Sequence, residues 1–144
     1  MVKKTHEKQN KKPLYIFLHL RKTGGTTLNE HLKKELGDNF MYVNSLKEIQ
    51  KIEKMPSDKK EKLLVLGGHG TFYGIHKYFP DREPKYFTIL RDPAERLISQ
   101  YNHVMSNIGK DKRISFDKWL KNYSKNEMVQ FLNNRFKGTG RKKK

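Results

Sequence analysis

Three short segments rich in apolar residues recur along this 144-residue chain, at residues 14–18, 63–66 and 85–90. The first is an apolar run that predicts a buried strand. The second shows no alternation, as in a strand that helices cover on both faces of a parallel sheet. The third contains aromatic and β-branched residues and is also typical of a strand. A shorter candidate strand lies at residues 40–43. The pattern therefore predicts three main strands and a short fourth one.

The segments that separate these strands show helical spacing. Leucines recur every four residues from Leu28 to Leu36 and predict one face of a helix, with Gly37 as its C-terminal cap. Ser45 and Glu48 match a capping box, which predicts a helix from residue 46 to about residue 55. The highly charged residues 57–62 are expected to form a loop.

The second half of the chain is predicted to be mainly helical. Asp92, Pro93 and Glu95 have the spacing of an N-cap, a first helical residue and a capping-box acid, so a helix should run from residue 93 to about residue 107. Its Leu97, Ile98, Tyr101 and Met105 are expected to point inward. Ser115 and Ser124 are each expected to open one further helix.

Strands that alternate with helices predict an α/β fold with a parallel sheet flanked by helices. We expect a P-loop-like, three-layer arrangement with a helical C-terminal part. The lysine-rich residues 1–12 are expected to be a disordered basic arm, residues 13–137 a single domain, and residues 138–144 a basic tail.

A polar residue follows each of the three main strands. Lys22 lies in the turn after the first strand, His69 follows the second and Arg91 follows the third. Parallel strands end at one edge of their sheet, and ligands of open α/β sheets bind at that edge. These three side chains are therefore expected to converge.

The turn after the first strand has the composition of an anion-binding site. One lysine, two glycines and three threonines fall within six residues, directly before a helix whose first N–H groups and positive dipole end attract anions. The turn is not a Walker A loop, because its lysine precedes the glycines. The candidate ligands are Arg21, Lys22, Thr23, Gly24, Gly25, Thr26 and Thr27.

Composition indicates the kind of partner that the chain binds and the compartment in which it works. A net charge of +17 favours an anionic partner, and lysines at the two ends and on helix faces account for much of it. The chain has no cysteine, which excludes disulfides and thiolate metal sites and fits a reducing compartment. No apolar run approaches the roughly 20 residues of a membrane-spanning helix, and no signal peptide is recognisable. We therefore expect a cytoplasmic protein without a membrane span.

The glycine-rich turn resembles the phosphosulfate-binding loop of carbohydrate sulfotransferases that use 3′-phosphoadenosine 5′-phosphosulfate (PAPS), a family branch that includes heparan sulfate 2-O-sulfotransferase. The family loop usually reads P-K-T-G-G-T-[TS], and Arg21 stands here in place of the proline. Residues 86–103 are similar to the 3′-phosphate-binding motif of the same family, in which Arg91 and Ser99 match the two phosphate ligands. An ion pair with Asp92 or Glu95 is the alternative role for Arg91.

The resemblance implies transfer of a sulfuryl group from PAPS to a carbohydrate hydroxyl, with adenosine 3′,5′-bisphosphate as the product. In this scheme Lys22 stabilises the leaving phosphate oxygen and His69 is the general base. His76 is the alternative base, and it could otherwise bind substrate or pack against its neighbours. Arg135 matches a family arginine near the acceptor cleft. Family members usually continue beyond Lys144, so we expect a truncated or minimal member, with PAPS binding better supported than turnover.

The scheme needs no metal, because a sulfuryl group carries less negative charge than a phosphoryl group. Two other functions stay open at this point. A P-loop-type nucleotide kinase would need a lysine after the glycines and an acidic metal ligand. A non-catalytic basic module for nucleic acid or a polyanionic glycan would suit the lysine-rich ends, but it leaves His69 and the two phosphate-type motifs unexplained. We therefore expect a carbohydrate acceptor rather than nucleic acid; the sequence indicates no oligomeric state.

Overall fold

The computed structural model describes residues 11–123 and 126–136. Most of the predicted basic arm, the predicted tail and Ser124 lie outside these residues. The described strands are β1 (Pro13–Leu18), β2 (Phe40–Tyr42), β3 (Val65–Gly68) and β4 (Glu83–Phe87). The described helices are α1 (Gly25–Leu36), α2 (Leu46–Glu53), α3 (Ser57–Lys62), α4 (Pro93–Ser106), α5 (Phe116–Lys121) and α6 (Glu127–Phe136).

The four strands form one sheet in the order β2-β3-β1-β4, and every pairing in it is parallel. The predicted α/β fold with a parallel sheet flanked by helices is confirmed. β1 is central and pairs with β3 on one side and with β4 on the other. The segments that follow β1, β3 and β4 therefore leave the sheet at the same edge.

β1 contributes to two apolar layers, because alternate residues of a strand point to opposite faces. Leu14, Ile16 and Leu18 are buried in the main core, which also receives Ile52 from α2. Phe17 is buried on the opposite face, and α1 packs against β2 and β3. The second face is covered only in part, because Tyr15, on the same side of β1 as Phe17, is 45% exposed.

The predicted third strand is displaced along the sequence. β4 begins at Glu83 instead of residue 85 and ends at Phe87 instead of residue 90. It includes Pro84. Proline is tolerated there because β4 pairs with β1 alone among the described strands, so its other side needs no N–H donor. Beyond β4, the Thr88 hydroxyl donates to the Leu18 carbonyl at 2.8 Å.

The prediction of a loop at residues 57–62 was wrong, because these residues form helix α3. Pro56 precedes the helix with φ of −58°, Asp58 lies in the first turn, and lysines occupy the last turn. These charges suit the two ends of the helix dipole. The following strand also begins later than predicted, at Val65 instead of residue 63.

Arg82 is a buried, charged residue whose role in holding the fold together could not be predicted from the sequence. Its Nε donates to the Lys12 carbonyl at 3.0 Å, and its two terminal nitrogens donate to Lys60, Glu61 and Pro13 at 2.6–3.1 Å. These bonds join the beginning of β1 to the end of α3 close to the beginning of β4.

The C-terminal helices hold α4 in place. Tyr101 of α4 meets Phe116 and Trp119 of α5 edge-on, with ring centroids 5.3 and 5.7 Å apart. The buried Arg96 of α4 donates to the carboxylate of Glu127 in α6 at 2.8 Å. Within the described residues, none of the helices has the length and apolar character needed to cross a membrane.

Candidate functional site

An open cleft of about 590 Å³ lies between the turn that follows β1 and the helix α4. Lys22 contributes from the turn, and Arg91 and Ser99 contribute from the segment that follows β4. The structure therefore brings together three residues that were predicted from two separate motifs. The cleft is lined by Lys22, Arg91, Glu95, Ile98, Ser99, Asn102, His103 and Ser106.

Five of these lining residues were not predicted as site residues. Four of them lie on the same face of α4 as Ser99, at spacings of about one or two helical turns, and the fifth, Ile98, directly precedes Ser99. That periodicity could have indicated Asn102, His103 and Ser106 once Ser99 had been chosen. Ile98 was expected to point inward, but half of its surface is exposed and it lines the cleft.

Arg91 forms an ion pair with Glu95, the role that was the alternative for this residue. Its Nε lies 3.2 Å from the Glu95 carboxylate, and the side chains of Arg91 and Glu95 are 39% and 64% exposed. Asp92 instead caps α4 and accepts a hydrogen bond from the Glu95 N–H at 3.0 Å. An exposed pair of this kind typically contributes about 0–1 kcal/mol, so an anion in the cleft can compete for Arg91.

The turn after β1 holds its lysine in an unusual backbone conformation. Lys22 has φ of 63°, in the left-handed region, and Gly24 has φ of 86°. A non-glycine residue in this region costs of order 1 kcal/mol or more, and such residues concentrate at functional sites. The backbone conformation of Lys22 is therefore unfavourable for a lysine and has to be held by the surrounding turn.

The threonines of the turn have different environments. Thr23 is buried, and its hydroxyl donates to the Leu20 carbonyl at 2.9 Å, which braces the turn. Thr26 and Thr27 are exposed in the first turn of α1. Arg21 is also exposed. No side chain of the described residues caps α1 at Gly24, so the first N–H groups of that helix have no side-chain acceptor.

Gly25 is required by a contact within the protein. A Cβ atom at this position would lie 2.0 Å from Nε2 of His19, which is far inside van der Waals contact. The His19 ring is buried, and its Nδ1 accepts a hydrogen bond from the Asn29 side-chain amide at 3.1 Å. His19 and Asn29 were not predicted as site residues. His19 continues the Phe17 side of β1, and Asn29 lies one turn after Gly25, which is the pattern that could have paired them.

His69 lies beside this arrangement at the end of β3. Its ring stacks on the His19 ring with centroids 4.0 Å apart, and its Nδ1 lies 3.3 Å from the His19 carbonyl oxygen. The preceding Gly68 has φ of 129°, and a Cβ there would lie 2.3 Å from the Val43 carbonyl oxygen. Glycine at this position therefore permits the turn that carries His69. His69 contacts the β1 end but is not one of the residues that line the cleft.

His76 is held by an aromatic neighbour. The Tyr86 hydroxyl lies 2.7 Å from His76 Nδ1 and accepts a hydrogen bond from the Gly74 N–H at 2.9 Å. Burial raises the pKa of Tyr86, so its phenol stays protonated and can donate to His76. His76 is not a cleft residue, and the Arg135 side chain lies outside the described part of the chain. Their substrate-binding roles stay predictions.

His19 is unsuited to act as the base itself. Burial, followed by the nearby His69 and Arg21, lowers the pKa of His19 from 6.5 to about 4. The ring is therefore neutral near neutral pH and has little tendency to take a proton. Its contacts make it a packed and hydrogen-bonded support between the turn and His69.

We expect Gly25→Ala to destabilise the protein by about 1–3 kcal/mol, because the new Cβ overlaps the His19 ring. In a His19→Ala background the same substitution should cost much less, since the overlapping ring is gone. Urea unfolding of the wild type, the two single variants and the double variant measures this coupling. Gly24→Ala is the control. Its φ of 86° strains any side chain, but no atom lies within 4 Å of a Cβ there, so its cost should not depend on the His19 ring. Additive costs in the double variant would contradict the contact.

The lowered pKa of His19 predicts how stability depends on pH. The unfolded chain takes up a proton on residue 19 below pH 6.5, whereas the folded protein resists it down to about pH 4. This contribution is therefore fully present above pH 6.5 and is lost as the pH falls towards 4, by at most about 3 kcal/mol. The free energy of unfolding should fall more steeply over this range in the wild type than in His19→Phe. His31→Phe, at an exposed position of α1, should follow the wild type; identical slopes for all three would contradict the burial of a neutral ring.

Comparisons with known proteins agree with the predicted resemblance. The model of the sulfotransferase family matches residues 7–143. Heparan-sulfate 6-O-sulfotransferase 2 of Homo sapiens is 27% identical over 111 residues, an alignment that covers 63% of this chain and 18% of that protein. Heparan-sulfate 6-O-sulfotransferase 2 of Mus musculus gives the same figures. The chain thus spans less than a fifth of the length of these relatives. Because the family match extends over nearly all of its residues, the chain belongs to the sulfotransferase family.

Proposed function

We propose that this chain binds PAPS between the β1–α1 turn and α4 and transfers its sulfuryl group to a carbohydrate hydroxyl. One observation carries the proposal: Lys22, Arg91 and Ser99 line a single cleft, although they come from motifs that lie far apart in the sequence. Each motif resembles a phosphate-binding element of the same family. Their meeting at the edge of the sheet where the parallel strands end supports a common ligand with two phosphate groups.

The β1–α1 turn fits the 5′-phosphosulfate end of such a donor. The N-terminus of α1 offers N–H groups without a side-chain cap from the described residues, together with the positive end of a helix dipole. Lys22 adds a cation at the cleft, and Thr26 and Thr27 add exposed hydroxyls in the first turn of α1. These donors suit an anion with several terminal oxygens.

Arg91 and Ser99 fit a 3′-phosphate. An arginine guanidinium can donate two hydrogen bonds to one phosphate, and a serine hydroxyl can donate a third. Glu95 is the present partner of Arg91, and the exposure of that pair makes exchange inexpensive. A dianionic phosphate would attract the guanidinium more strongly than a single carboxylate does.

The residues then divide the chemistry between them. PAPS supplies an activated sulfuryl group, whose bond to the phosphate oxygen breaks as the acceptor oxygen bonds to sulfur. Lys22 and the α1 amides stabilise the negative charge that develops on the phosphate oxygen. His69 takes the proton from the acceptor hydroxyl. We expect no metal in this scheme, since the cation and the N–H donors already stabilise the charge.

A carbohydrate is the acceptor class that the relatives favour. The two similar proteins are named for heparan sulfate, which makes a glycan chain the first acceptor to test. The net charge of +17 would also attract an anionic glycan.

The donor site predicts a preference between two nucleotides. Adenosine 3′,5′-bisphosphate should bind about tenfold or more tightly than 5′-AMP, because only the bisphosphate engages Arg91 and Ser99. Calorimetry at fixed salt, without metal, measures both affinities. Arg91→Ala should remove the preference itself, whereas Arg113→Ala, at an exposed position before α5, should keep it.

Other outcomes of the binding experiment identify the competing functions. Equal affinity of the wild type for both nucleotides would contradict the 3′-phosphate site. Binding of ATP only with Mg²⁺ would favour a kinase. Salt-sensitive binding of DNA without binding of either nucleotide would favour a basic module.

The proposed catalytic roles predict that a substitution can lower turnover without weakening nucleotide binding. With ³⁵S-labelled PAPS and desulfated heparan sulfate, Lys22→Ala should lose about 10²–10³-fold in kcat, and His69→Ala about 10²–10⁴-fold. His69→Ala should keep the affinity for adenosine 3′,5′-bisphosphate. Lys33→Ala, on the exposed side of α1, is the control for removal of a lysine. Full activity of Lys22→Ala would refute its role, and an unchanged pH–rate profile in His69→Ala would transfer the role of base to His76.

A further inference from the structure

Two residues outside the predicted site, His19 and Asn29, are built into the support of His69. Asn29 lies one helical turn after Gly25 in α1, and His19 directly follows β1. Their side chains are 7% and 2% exposed. The Asn29 amide nitrogen is bonded to His19 Nδ1, and the His19 ring stacks on the His69 ring. Within the described residues, Asn29 Oδ1 is buried without a hydrogen-bond partner, so only the nitrogen of the amide contributes to this arrangement.

The hydrogen bonds fix which nitrogen of each ring carries a proton. The Asn29 amide nitrogen donates to His19 Nδ1, so that nitrogen holds a lone pair and the proton of the neutral ring is on Nε2. A carbonyl oxygen can only accept, so the contact of His69 Nδ1 with the His19 carbonyl places a proton on His69 Nδ1. In a neutral His69 ring, the basic lone pair is consequently on Nε2.

We propose that Asn29 and His19 are positioning residues for the general base: Asn29 fixes the His19 ring, and His19 holds the His69 ring by stacking and through its carbonyl, so that Nε2 of His69 is the nitrogen that accepts the proton. This inference rests on the proposed role of His69 as the base. It extends that role to two residues that do not line the cleft.

The geometry explains why each part of the support is needed. The stacked rings are 4.0 Å apart with an angle of 17° between their planes, which limits rotation of His69. Gly25 leaves the room that the His19 ring occupies, and a side chain there would overlap that ring. When His69 takes a proton, its Nδ1–H bond to the His19 carbonyl becomes charge-assisted and stronger.

The neutral state of His19 is also suited to this place. A second positive charge 4.0 Å from His69 would oppose proton uptake by the base. Burial lowers the pKa of His19, and the nearby His69 and Arg21 lower it further, so that the support stays uncharged at neutral pH. Arg21 itself is exposed to solvent in the turn.

The proposal can be tested by nitrogen-15 NMR of the histidine rings in the full chain. Long-range ¹H–¹⁵N spectra distinguish the two neutral tautomers directly, without any substrate. The wild type should show His69 with its proton on Nδ1 and His19 with its proton on Nε2. Any wild-type spectrum with the proton of His69 on Nε2 would overturn the proposal.

Two variants connect the tautomers to turnover. His19→Phe keeps a stacking ring but removes the Asn29 bond, and Asn29→Leu removes the donor while keeping the side-chain volume roughly constant. In both, kcat should fall about tenfold with unchanged KM for PAPS, and the His69 signals should report a mixture of tautomers. His31→Phe, at an exposed position on the same helix as Asn29, is the control and should change neither. The amide spectrum of each variant verifies that it is folded; should His19→Phe fail to fold, Asn29→Leu alone decides.

The outcomes separate this inference from the proposed function. Folded variants that retain both the wild-type kcat and the wild-type His69 tautomer would overturn the positioning role. A fall in kcat accompanied by an equal rise in KM would also overturn it, because that result indicates a disturbed binding site. A wild-type chain that shows the expected tautomers but transfers no sulfuryl group would contradict the proposed function, while the support of His69 by His19 and Asn29 would stand.

Discussion

The contact between the His19 ring and the Cα of Gly25 determines how the glycine-rich turn is built. The ring fills the space in which any side chain at residue 25 would have to lie. It is held there by Asn29 from α1 and stacks on His69 from the end of β3. The end of β1, the beginning of α1 and the end of β3 therefore share one packed group, and the geometry of the turn follows from it.

The cleft depends on a second arrangement, which brings α4 next to that turn. β4 pairs with β1, so the segment after β4 leaves the sheet beside the segment after β1. The Thr88 hydroxyl, just after β4, donates a hydrogen bond to the Leu18 carbonyl at the end of β1. Tyr101, in the second half of α4, packs against α5. Arg91 and Ser99 can then face Lys22 across an open space, as parallel-sheet topology allows.

The fold class and three of the cleft residues, Lys22, Arg91 and Ser99, could be predicted because they depend on local patterns. Apolar runs, caps and helical spacing locate the elements, and the rule that parallel strands end at one edge brings Lys22 and Arg91 together. The boundaries of β4 and the helix at residues 57–62 could not be predicted from local patterns. Pro84 fits in β4 because, among the described strands, β4 is paired on one side only. The charges that indicated a loop at residues 57–62 suit the two ends of a helix dipole.

The support of His69 was beyond prediction for a different reason. His19 and Asn29 are ten residues apart, and the sequence alone does not show that a ring enters the space left by a glycine. Arg82 is similar: a charged residue is usually exposed, and only the fold supplies the four carbonyl contacts that permit its burial.

Lys22 occupies a backbone position that suits glycine better than lysine. Its φ of 63° costs of order 1 kcal/mol, and glycine would relieve that cost while it removed the ammonium group from the cleft. Stability and anion binding therefore make opposite demands on this one residue. A selection for heat resistance alone would favour loss of the cation, so an engineered, more robust form of this domain has to take its gains from positions away from the turn.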